Sequence, residues 1–104
     1  MPWYSYLVLI LSGAALANAV PHIVHGISGN RFQTPFATPP GVGESSAIAN
    51  VVWGFFNLAV SAGLARAFMP ADLPCMALVA LFAGALAMAI ALARHFGQVR
   101  SARY

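Results

Sequence analysis

Three long apolar runs decide what this chain can become: Trp3–Val20, Ala47–Met69 and Leu73–Ala93. Only one charge, Arg66, falls inside them. As helices they measure about 27, 34 and 31 Å at the usual rise per residue. The hydrocarbon core of a bilayer is about 30 Å thick, so each run is long enough to cross it. An open sheet would leave edge groups unpaired in lipid, and three runs without two-residue alternation cannot close a barrel. The expected fold is an all-α integral membrane protein, a single domain over 1–104. Its three helices span about 3–20, 47–69 and 73–93, followed by a basic tail over 94–104.

Composition agrees. Apolar residues make up 61% of the 104 residues and charged residues 7%. Soluble domains carry about 25% charged residues, so this chain cannot clothe a water-facing surface. The net charge is +3, from five arginines against Asp72 and Glu44, with no lysine. The arginines are scattered rather than clustered on a face, which argues against nucleic acid as a partner. Arg31, Arg94, Arg100 and Arg103 suit contacts with lipid headgroups. Cys75 is alone, so it forms no internal disulfide and no Cys-x-x-Cys site. It reads as a small packing residue. Ala17-Asn18-Ala19 resembles a signal-peptidase site, but no basic residue precedes the first run and the run is long for a leader. It is read as a retained transmembrane helix.

The connections differ. Residues 26–46 carry Gly29, Gly41, Gly43, Pro35, Pro39 and Pro40, which break a helix. An ordered interfacial loop is expected, with Phe32 and Phe36 dipped into the headgroup boundary. Ser45 or Ser46 can cap the second helix. The second connection, Pro70-Ala71-Asp72, is short. It predicts a tight antiparallel hairpin of the second and third helices, with Asp72 as N-cap. Four arginines on the side of the loop and the C-terminus, against Arg66 on the other, predict the N-terminus outside and the loop and tail in the cytoplasm. The arginine-only basic set and alanine richness suggest a bacterial inner membrane.

Two stripes of side chains follow helical spacing. Asn50, Gly54, Asn57 and Ser61 fall on one face of the second helix. They serve either helix packing, through hydrogen bonds and close backbone approach, or a polar path. Ala77, Ala80, Gly84, Ala87 and Ala91 form a heptad seam of small residues on the third. That seam packs against the second helix, against a second copy, or against a larger membrane complex.

A third group is histidine-rich. Asn18, His22 and His25 share a face if the first helix continues past Pro21, and His95 sits at the end of the third. Imidazoles at a membrane edge hydrogen-bond loop carbonyls, or serve metal, haem or quinone chemistry. His-x-x-His alone lacks the ligand count of a metal site. There is no carboxylate pair, nucleophile motif or nucleotide-binding loop to support catalysis. The sequence therefore reads as a non-catalytic structural or accessory subunit with no predicted cofactor or metal. A homo-oligomeric channel or transporter using Asn50, Asn57 and Ser61 is the first alternative. A metal, haem or quinone site near His22, His25 and His95 is the second.

Overall fold

The computed structural model describes residues 1–103, with Arg103 described by its backbone. Three helices carry the fold: α1 over Trp3–Ile27, α2 over Ala47–Phe68 and α3 over Cys75–Arg103. All three are long and apolar enough to cross a membrane. The long axis of the molecule is 47 Å, close to the roughly 40–45 Å of a bilayer with its headgroups. Two short strands, β1 (Phe32–Gln33) and β2 (Glu44–Ser45), pair antiparallel within the loop, Phe32 opposite Ser45 and Gln33 opposite Glu44.

The helices differ from the sequence expectation at two ends. α1 does not stop at Val20 but runs through Pro21 to Ile27. Proline removes one backbone donor without forcing a stop, since its φ is helical. The turns beyond it are held by packing, with His22 and Gly26 buried. α3 continues through Arg94–Arg103 instead of ending at Ala93. Hydropathy marks where lipid ends, not where a helix ends, and Val99 is still buried in this polar turn.

Packing also corrects the expected hairpin. α1 lies between the other two helices and packs along both, while α2 and α3 scarcely touch. α1 and α2 are antiparallel; α1 and α3 run parallel. The α1–α3 crossing is built on two glycines. A Cβ on Gly84 would collide with the Ile10 carbonyl, and one on Gly13 with the Leu81 carbonyl. Small residues at a crossing let backbones approach where lipid supplies no hydrophobic drive. Leu9, Ala77 and Ala80 fill the neighbouring core, with Phe68 and Met69 against them.

The α3 seam is thus an internal contact with α1, not with α2. It also drifts. Ala77, Ala80 and Gly84 are buried, but Ala87 and Ala91 are exposed. The partly buried line continues instead through Met88, Leu92 and Phe96. A straight helix of 3.6 residues per turn departs from a 3.5-residue repeat by about 20° per heptad, so a strict heptad cannot stay on one contact.

The α2 entry follows expectation: Ser46 is the N-cap and its Oγ accepts from the Ala49 N–H at 3.1 Å. The α3 entry does not. The helix starts at Cys75, and the N–H groups of Ala77 and Leu78 turn to the Pro74 carbonyl, leaving Asp72 without a capping role. Cys75 is exposed rather than packed.

Candidate functional site

The loop between α1 and α2 satisfies part of its backbone internally. Gly41 N–H donates to the Thr34 carbonyl at 2.8 Å and Gly43 N–H to the Pro39 carbonyl at 2.7 Å. Gly41 has φ +73°, a conformation glycine adopts without strain. His95 Nε2–H from α3 then donates to the Gly41 carbonyl at 2.7 Å. A side chain at position 41 would press on that imidazole.

Phe32 is the anchor of the loop. The expected dip of both phenylalanines into headgroups fails for Phe32, which is 3% exposed and turned into the protein, while Phe36 is 56% exposed. Phe32 stacks on His25 at 4.2 Å between centroids and lies 4.6 Å from the Phe96 ring. The Arg100 guanidinium stands 6.0 Å above the same ring. Phe36 instead meets Trp53 edge-on at 5.5 Å. β-pairing explains the difference, because it points Phe32 into the gap between α1 and α3.

Three polar rungs join α1 to α2. Ser12 Oγ donates to the Ser61 carbonyl at 2.8 Å, with Ser61 Oγ 3.2 Å away. Asn18 Nδ2 donates to Asn57 Oδ1 at 3.1 Å. His22 Nδ1–H donates to Asn50 Oδ1 at 2.8 Å. Gly54 sits between the last two, where a Cβ would strike Ile23 and Ala19. The whole α2 stripe (Asn50, Gly54, Asn57 and Ser61) therefore faces α1.

The amide orientations follow from carbonyls. Asn50 Nδ2 points at the backbone oxygens of Phe32, Ser45 and Ser46, at 3.2, 3.2 and 3.0 Å. Its Oδ1 is thus the atom that faces His22, which fixes the proton on His22 Nδ1 and leaves Nε2 as an acceptor. Asn57 Nδ2 donates to the Trp53 carbonyl at 2.8 Å, so its Oδ1 faces Asn18. Asn18 Oδ1 is left as an acceptor in turn.

Beside these rungs is a cleft of about 270 Å³ where α1, the loop and α3 meet. It is lined by Asn18, His22, Gln33, Thr34, Met88 and Phe96, among others. His22 and His95 both border it, whereas His25 borders a separate apolar groove of about 650 Å³ between α1 and α3. The three histidines do not converge. Among the described residues no three of His, Cys, Asp and Glu come together as a metal site would need.

The arginines behave differently from one another. Arg31 donates to the Glu44 carbonyl at 3.4 Å, across the mouth of the strand pair. Arg94 and Arg100 are exposed. The Arg103 side chain lies outside the described residues.

Sequence reasoning missed Ser12, Gln33 and Thr34. Ser12 had a readable signal: Ser12, Asn18 and His22 mirror Ser61, Asn57 and Asn50 when the first two helices are laid antiparallel. Gln33 and Thr34 had none, since a polar pair in a Gly/Pro-rich loop looks like any exposed turn. Comparison with family models, with curated proteins and with solved structures finds no match to this chain.

Proposed function

We propose that this chain is a non-catalytic structural or accessory subunit of a membrane, packing against further copies of itself or into a larger membrane complex. The observation that carries this reading is what the fold leaves outside. After Gly13, Gly54 and Gly84 are used within the chain, rows of small residues remain exposed on the outer helices. On α2 the row is Ala59, Gly63 and Ala67; on α3 it is Ala83, Ala87 and Ala91. A Cβ at Gly63 would meet nothing within 4 Å. Four-residue spacing of small side chains is how helices approach one another in lipid. The polar stripe offers less to a channel reading, because its amides and hydroxyls are bonded to α1.

The same reading places the loop, Arg31, Arg94, Arg100 and Arg103 on the cytoplasmic side of a bacterial inner membrane, with Trp3, Tyr4 and Tyr6 at the outer interface. The arginine imbalance between the two ends supports this orientation. The test is the mass of the native particle in a mild detergent, with co-purifying chains identified. A mass above one chain is expected, and it should fall on Gly63→Leu or Ala87→Leu. A lone chain of one-copy mass, unaffected by either substitution, overturns the reading.

A further inference from the structure

The cleft between α1, the loop and α3 contains a polar side chain that the fold does not use. Gln33 is 2% exposed, borders the cleft, and its carboxamide has no hydrogen-bond partner among the described residues. The carboxamide is not sealed off: its nitrogen and oxygen open onto the cleft, where they can bond whatever enters it. Two further atoms are left open by the orientation chains. His22 is 2% exposed and its Nε2 is an acceptor without a partner, because Asn50 holds the proton on Nδ1. Asn18 Oδ1 is likewise an unpaired acceptor, because Asn57 takes its amide hydrogen. Both residues border the cleft.

These atoms specify a ligand. Two open acceptors call for hydrogen-bond donors, and the Gln33 amide can both give and receive. No Asp, Glu, Lys or Arg lines the cleft, so it offers no fixed charge to balance one on a ligand. The facing wall is apolar, made by Met88, Leu92 and Phe96. The volume of about 270 Å³ sits near the small end of ligand cavities, enough for one ring. We propose that the cleft binds a small, uncharged, hydroxyl-bearing ring compound of the phenol or hydroquinone class. A phenol O–H donates to one of the two acceptors, His22 Nε2 or Asn18 Oδ1, and a hydroquinone has a second O–H for the other; Gln33 bonds the phenolic oxygen, and Phe96 and Met88 cover the apolar face. A molecule of this kind dissolves in the bilayer and reaches the cleft from there. This site does not depend on the accessory role.

The test uses the full ¹⁵N-labelled chain in lipid nanodiscs and three probes of one shape: 4-propylphenol, 4-propylanisole and propylbenzene. Concentrations are expressed as mole fraction in the lipid, which removes differences in partition. The Gln33 and Asn18 side-chain amide signals should shift saturably with 4-propylphenol. The anisole keeps the oxygen but lacks the donor, so its apparent affinity should fall at least about tenfold, as expected for a site built around a donor. Propylbenzene should leave both signals in place. Gln33→Leu should weaken 4-propylphenol about tenfold while the Asn50 amide signals, which report the loop docking, stay put. Equal shifts from all three probes, or no saturable shift with 4-propylphenol in the wild-type chain, overturn the proposal and leave a cleft that holds only water or lipid.

Discussion

Asn50 Oδ1 accepts from His22 Nδ1–H at 2.8 Å while its own Nδ2 reaches three backbone carbonyls at the base of the loop. One buried amide therefore ties together α1, α2 and both strands. The arrangement is economical in chemical terms: a fully buried side chain with two donors and an acceptor bonds three loop carbonyls and orients an imidazole at the same time. Removing it should be felt by the whole loop. Asn50→Leu and Asn50→Asp should each lower stability by about 1–3 kcal/mol, because both remove the side-chain N–H donors from these carbonyls, and only that of Ser46 keeps the Asn50 backbone N–H as a partner. Unfolding in mixed micelles measures this. A midpoint equal to wild type in both variants would mean that apolar contact alone docks the loop.

The α1–α3 crossing separates folding from association. Gly84→Leu drives a side chain into the Ile10 backbone, and overpacking of this kind costs about 1–3 kcal/mol or more. Ala87 is exposed, so Ala87→Leu should change the thermal midpoint by less than about 0.5 kcal/mol equivalent. Thermal unfolding of the two variants, each measured on the one-chain species in detergent so that lost association does not enter, checks the contrast. Similar losses in both variants would place Ala87 in the same contact as Gly84.

The Asn18–Asn57 rung is partly buried and should contribute modestly. Inter-helix hydrogen bonds in membranes average about 0.6 kcal/mol. A double-mutant cycle with Asn18→Ala and Asn57→Ala should return a coupling near that value. A coupling of zero would show that the two amides bond lipid headgroups or water as readily as each other.

Phe32 and Phe36 should behave unequally despite their likeness in sequence. Phe32→Ala removes a ring packed on His25 and Phe96 and should cost about 3–5 kcal/mol of loop docking. Hydrogen exchange at the Thr34, Gly41 and Gly43 amides should accelerate sharply. Phe36→Ala should leave those amides protected, since the ring is more than half exposed. Equal acceleration in the two variants would contradict the inward placement of Phe32.

Cys75 offers a label for orientation. It is exposed at the start of α3, on the same end as Asp72 and away from the loop. With the N-terminus outside, this single thiol should react with a membrane-impermeant maleimide in intact cells. Labelling only after permeabilisation would invert the orientation proposed from the arginines.

Much of the architecture was legible in the chain itself. The three apolar runs dictated three membrane-length helices because backbone groups in lipid must bond internally. The Asn50–Ser61 stripe was legible as one face because its spacing matches one side of a helix, but spacing left packing and a polar path both open until its hydrogen bonds to α1 were seen. A serine cap, Ser45 or Ser46, was legible from its place before an apolar run, and the structure selects Ser46. Other features needed the third dimension. Which helix lies in the middle depends on where backbones can come closest. That is decided by Gly13 meeting Leu81 and Gly84 meeting Ile10 across unrelated parts of the chain. The short Pro70–Asp72 connection set sequence neighbours side by side, yet close approach favoured α1 between them. The cleft was invisible for the same reason. Gln33, His22 and Asn18 come from a loop and a helix, and α3 supplies the wall they face. Only the docking of Phe32, against its neighbours on α1 and α3, brings the three together.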